Sequence, residues 1–107
     1  MEALLTHEIF TSLLNTKFRA EVNDTVQVEL QLDEVSELKL STRQEQFALV
    51  FHGPDEFFLG QGMQHLVHDG MGTFDLFLVP IGHDAAGYRY EVVFNRLRKQ
   101  SETSNDA

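Results

Sequence analysis

Ile9, Phe10, Leu13 and Leu14 recur at three- and four-residue spacing, and from Thr16 onward the apolar residues recur at every second position. The first spacing predicts a short amphipathic helix; the second predicts a succession of half-buried strands. Thr6 is placed to cap the helix, Glu8 to sit favourably near the positive end of its dipole, and Asn15 to close it. The apolar face is expected to plug a sheet.

Phe18, Ala20 and Val22 alternate with Lys17, Arg19 and Glu21 before an Asn23-Asp24 turn. Val26, Val28, Leu30 and Leu32 continue the alternation, and the apolar phase then slips by one residue to Val35, with Leu38 and Leu40 following. Side chains along a strand alternate strictly, so such a slip predicts a β-bulge or a bend. After the polar connection Ser41-Gln44, Phe47, Leu49 and Phe51 give one strand an aromatic face, which Gly53-Pro54-Asp55 ends by turn chemistry. A strand over Gln61-His68 follows, then a hairpin turn at Asp69-Gly72. The next strand, Thr73-Ile81, has apolar residues in both phases and is expected to be central and buried on both faces. Pro80 and the stretch Gly82-Gly87 are expected to stop it. Tyr88-Asn95 forms the last strand, with Tyr90, Val92 and Phe94 on one side.

One short helix and about six strands with hairpin-length loops predict a mainly β fold, a small antiparallel barrel or strongly bent sheet. A single helix cannot cover an open sheet of that size on both faces, whereas closure buries the inner row and removes the edges. Residues 1–96 read as one globular domain and residues 97–107 as a polar, disordered tail.

Among 107 residues, 17 are Asp or Glu and 8 are Lys or Arg, a net charge of −9. That sign repels phosphate backbones and anionic lipid, so neither a nucleic acid nor a membrane is expected as a partner. The longest apolar run, Leu76-Ile81, is far short of a membrane span, and the acidic N-terminus lacks the features of a signal peptide. A cytoplasmic location is therefore expected. The absence of Cys removes disulfides and thiolate chemistry.

Candidate chemistry is sparse. Of five histidines, His65 and His68 are closest in sequence, but on a strand their spacing sends them to opposite faces, and no metal site is expected. His52 and His83 lie near strand ends. Asp33, Glu34 and Glu37 flank the phase slip, where a bulge can re-aim side chains, yet charge protecting a sheet edge explains them equally well. No serine sits in a nucleophile-elbow setting, and the glycines match neither phosphate-binding nor dinucleotide-binding patterns. Catalytic residues and cofactors are accordingly not expected. Arg96, Arg98 and Lys99 form the basic cluster. Phe57, Phe58 and Leu59 stand out, because three consecutive apolar residues in a loop cannot all reach the core by alternation. They form either a lid over the barrel end or a partner contact.

The series Phe47-x-Leu49-x-Phe51-x-Gly53-Pro54, Gln61-Gly62, Leu66-x-His68, Met71-Gly72, Leu76 to Gly82, and Gly87-x-x-Tyr90-Glu91-x-x-Phe94-Asn95 resembles a family of small uncharacterised bacterial β-rich proteins, a domain of unknown function. Thr6-His7-x-x-Phe10 and Thr16-x-Phe18 extend the resemblance to roughly residues 5–95. The resemblance implies no activity, cofactor or catalytic residue; it implies at most an accessory or structural role beside phage tail-fibre-like proteins. The glycine and proline positions have conformational explanations, whereas His68 and Glu91 do not, which makes them the candidate functional polar residues. The reading that follows is a non-enzymatic interaction or structural module with a protein partner or self-association. The alternative is a barrel binding an apolar small molecule.

Overall fold

The computed structural model describes residues 6–97; of the expected tail 97–107, Leu97 is instead the end of a strand, paired with Gln44, and residues 98–107, with Arg98 and Lys99, lie outside the described residues. A helix α1 (His7–Ser12) precedes seven strands: β1 (Lys17–Glu21), β2 (Gln27–Val35), β3 (Lys39–Leu40), β4 (Gln44–Gly53), β5 (Gly62–His68), β6 (Gly72–Asp84) and β7 (Gly87–Leu97). Six of them close into an antiparallel barrel in the order β2-β1-β5-β6-β7-β4, with β4 returning to β2. The two-residue β3 adds only to the free end of β4.

Closure follows from the alternation. Phe18 and Ala20 of β1, Val28, Leu30 and Leu32 of β2, Phe47, Leu49 and Phe51 of β4, Leu66 of β5, Leu76 and Leu78 of β6, and Tyr90 and Val92 of β7 all turn inward and are buried. Among the described residues no charged side chain joins them, and the Tyr90 hydroxyl is the polar group they carry. The phase slip is a bulge: Leu32 lies opposite Phe51 and Glu34 opposite Val50, leaving Asp33 as the extra residue. It lets Val35 rejoin the inner row, where it packs against the core.

Two features of β6 differ from expectation. The strand does not stop at Pro80 or Gly82 but runs to Asp84, because a second register shift between Pro80 and Gly82 makes Ile81 an extra residue and lets pairing with β7 resume. The hairpin then turns through Ala85 and Ala86, where the Asp84 carboxylate accepts the Ala86 N–H at 2.9 Å, and closes at the Asp84–Gly87 pair. Nor is β6 buried on both faces. Leu76 and Leu78 point inward, while Phe77 and Ile81 are exposed. A closed barrel of this size has a single interior, and among the described residues no second layer covers its outer row.

The helix closes one end. Thr6 Oγ1 accepts the Ile9 N–H at 3.1 Å; the helix is capped at Leu13, two residues before the expected Asn15, and Asn15, at φ 69°, follows in the turn with its N–H donating to the Leu32 carbonyl at 2.7 Å. Phe10 is fully buried, among the rings of Phe94, Phe47 and Phe74. Ile9 is half-buried and Leu14 exposed, so the plug is Phe10 with the half-buried Leu13 packed against the core beside it. The loop from Pro54 to Gln61 lies between the ends of β4 and β5 at the opposite end of the barrel. No helix of the described residues is long and apolar enough to cross a membrane.

Candidate interaction surface

The loop Phe57-Phe58-Leu59 divides its three side chains among three environments. Leu59 is buried in the core, Phe57 packs against the core from a half-buried position, and Phe58 is 53% exposed with its ring 5.0 Å from that of Tyr88. Leu59 is fastened by its backbone, whose N–H donates to the Tyr90 hydroxyl at 2.9 Å. This loop is a lid in two of its residues and a surface in the third.

The Tyr90 contact has a pH consequence. Burial holds the Tyr90 hydroxyl above its ordinary value near 10, opposed by the Leu59 N–H and reinforced by Tyr88. The unfolded chain therefore loses this proton first, so stability falls as pH rises above the ordinary tyrosine range through the folded value. Tyr90→Phe should remove that part of the alkaline decline, which denaturant midpoints measured between neutral pH and pH 11 would register.

His68 joins a turn to the helix end of the barrel. Its Nδ1 accepts the Gly70 N–H at 3.0 Å, which leaves Nε2 to carry the proton and donate to Thr16 Oγ1 at 3.0 Å. The Thr16 hydroxyl in turn donates to the Leu13 carbonyl at 2.6 Å, and the imidazole lies 4.7 Å from the Phe18 ring. The relay ties the β5–β6 hairpin to the residues that follow α1. His68→Ala leaves the Gly70 N–H and the Thr16 hydroxyl to water, and should cost about 1 kcal/mol, with faster amide exchange at Gly70 and Met71. Unchanged exchange there would show the relay to be idle.

The remaining histidines are also engaged. His52 Nδ1 meets the Asp33 carboxylate at 2.7 Å, pinning the bulge residue of β2 to β4. His65 lies 2.7 Å from Asp75 and 3.6 Å from Glu21, His83 2.5 Å from Asp55, and His7 Nε2 is 2.7 Å from the Ser36 carbonyl oxygen. His65 thus faces out and His68 toward the core, as their spacing on one strand requires. Among the described residues no three His, Asp or Glu side chains are grouped to hold a metal ion. His52 borders an open groove of about 370 Å³ together with Lys17, Glu29, Gln31 and Pro54. A carboxylate-oriented imidazole can act as a base, but no hydroxyl side chain lines this groove, and Lys17 is held by Glu29 at 2.8 Å. Arg96, the described member of the basic cluster, pairs with Glu45 at 3.0 Å and lies over the rings of Phe47 and Phe94.

The outer face of β5, β6, β7 and β4 is different in character. Met63 of β5 lies directly opposite Phe77 of β6, and Val93 of β7 directly opposite Ala48 of β4. Met63, Phe77 and Val93 are 64%, 47% and 62% exposed. Two residues from Phe77 and Val93, Val79 faces Glu91, and Glu91 faces Val50. Glu91 points outward, since its neighbours Tyr90 and Val92 are buried, yet it is only partly exposed.

Residues 5–94 match a domain of unknown function, DUF6916. The chain belongs to the DUF6916 family. No curated protein and no solved structure matches it. The DUF6916 span takes in the helix and the barrel strands as far as Phe94, and with them Phe57, Phe58, Leu59, His68 and Glu91. On the outer row the barrel sets Met63 beside Phe77, Glu91 between Val79 and Val50, and Val93 beside Ala48; His68 lies at the helix end and Phe58 beside Tyr88. Met63 and Val93 were not legible as site residues. Their signal was the out-of-phase apolar residue in each strand, which the inward row of the same strand masks.

Proposed function

We propose that this DUF6916 domain is a non-enzymatic protein-interaction module whose contact surface is the outer face of β5, β6, β7 and β4. The observation that carries this reading is the exposed pair Met63 and Phe77 on β5 and β6 and the exposed Val93 on the next strand, β7, joined along the outer row by Val79 and Glu91, over an interior occupied by inward side chains. Scattered exposed apolar residues are ordinary, but several on neighbouring strands mark a contact surface. The filled interior weighs against a small apolar ligand held inside the barrel, which requires a cavity of some 300 Å³ or more. Phe58 adds a second, smaller contact on the loop. The narrower role, an accessory beside tail-fibre-like proteins, rests on the sequence resemblance alone.

The test compares the wild-type chain with the double variant Phe77→Ser, Val93→Ser, each used to capture proteins from its native cell and quantified by mass spectrometry. Both positions are on the surface, so the melting temperature should change little. Proteins retained by the wild type and lost by the variant support the reading; identical recoveries from the two would overturn it.

A further inference from the structure

We propose that the occupant of this face is a protein segment that brings a Lys or Arg side chain to Glu91, an inference that rests on the interaction reading above. Glu91 stands between Val79 and Val50 across the strands, with Val93 two residues along on the same side. Glu91 is thus flanked by Val79, Val50 and Val93 with Arg89 on its remaining side, is partly buried, and no hydrogen bond or ion pair within the described residues reaches it. Lys39, beside Ala48 and Val93 on this face, makes no ion pair with it, and the nearest cation on its own strand is committed elsewhere. Arg89, two residues away on the same side of β7, is held by Glu34 at 3.3 Å and Asp84 at 3.7 Å. Arg96 is held by Glu45, Arg19 by Asp69 and Lys17 by Glu29.

A partner that covers Met63, Phe77 and Val93 also removes water from Glu91. A carboxylate desolvated without a counter-ion penalises binding, whereas one met by a cation inside an apolar ring strengthens it and fixes register. The partner's chemistry follows from this: apolar side chains for the valines, Met63 and Phe77, and one cationic side chain for Glu91. The net charge of −9 attracts the same kind of partner at long range. A second copy of the chain carries that same −9, which disfavours it as the occupant.

The experiment uses the full chain, isotopically labelled, and two synthetic ten-residue peptides of alternating valine and threonine that differ only in a central lysine or glutamate. The lysine peptide should shift the amide resonances of Met63, Phe77, Val79 and Val93 and bind about tenfold more tightly than the glutamate peptide, equivalent to about 1.4 kcal/mol. Glu91→Gln should abolish the preference, and Glu91→Lys should reverse it. Equal binding of both peptides on this face would overturn the charge inference and leave the interaction reading standing. Binding of neither would count against both. A concentration-dependent dimer in sedimentation that Phe77→Ser dissolves would replace the proposed partner with a second copy.

Discussion

Gly87→Ala is expected to destabilise the barrel by about 3 kcal/mol or more, combining left-handed backbone strain with overpacking. Gly87 begins β7 at φ 126°, a conformation that side chains oppose, and it is buried. An alanine Cβ built there would overlap the carbonyl oxygen of Gly53, with the Asp55 N–H also close by. These are backbone atoms at the junction of β4 and the loop that leads to Leu59, so they cannot step aside as a flexible side chain would. The barrel must either pull β7 away from β4, losing the Gly53–Tyr88 pair, or open the Asp84–Gly87 end of the β6–β7 hairpin. For a domain of this size the melting temperature should fall by about 12 °C or more. Gly60→Ala is the matched control: its Cβ would meet nothing within 4 Å, and it should stay within about 0.5 kcal/mol of wild type. A Gly87→Ala protein as stable as that control would show that the approach of Gly87 to Gly53 does not constrain the fold.

The contrast between these two glycines shows what periodicity could and could not convey. Local signals read correctly wherever the cause was local. The Thr6 cap, the turn at Asp69 to Gly72 and the phase slip at Asp33 all show in residues within a few positions of one another. The end of β6 was misread because Pro80 and Gly82 are strand breakers in isolation, and only the partner strand β7 supplies the register shift that absorbs Ile81. The double-sided apolar pattern of β6 predicts burial on both faces, but a sequence does not reveal whether a second layer covers the outer row. His52 could be placed near a strand end, but its partner Asp33 is set by closure of β2 onto β4, a contact between segments 19 residues apart. Glu91 stood out as a polar residue without a conformational explanation; its valine flanks came from β4 and β6, so its apolar setting needed the barrel.

Phe10→Ala should cost about 3–5 kcal/mol, the range for truncating a buried aromatic residue. Phe10 is fully buried, with its ring 5.5 Å from Phe94 and 6.3 Å from both Phe47 and Phe74. A helix of six residues has no stability of its own in water and persists only because this side chain anchors it. Truncation therefore removes more than one ring. It frees α1 from the barrel end and weakens the Asn15-to-Leu32 and Leu32-to-Thr16 backbone bonds that lead into β1. The effect should be uneven: amides of residues 9–16 should exchange much faster, while those of β4 and β7, paired from Gln44–Leu97 through Gly53–Tyr88, should follow only the global loss. Phe10→Leu, which keeps most of the volume, should cost less than half as much and leave the helix docked. If Phe10→Ala lowered stability by less than about 1 kcal/mol, or all amides lost protection equally, the helix would not be the plug that its packing describes. The first result would mean that the barrel end closes without it; the second would mean that helix and barrel unfold as one unit.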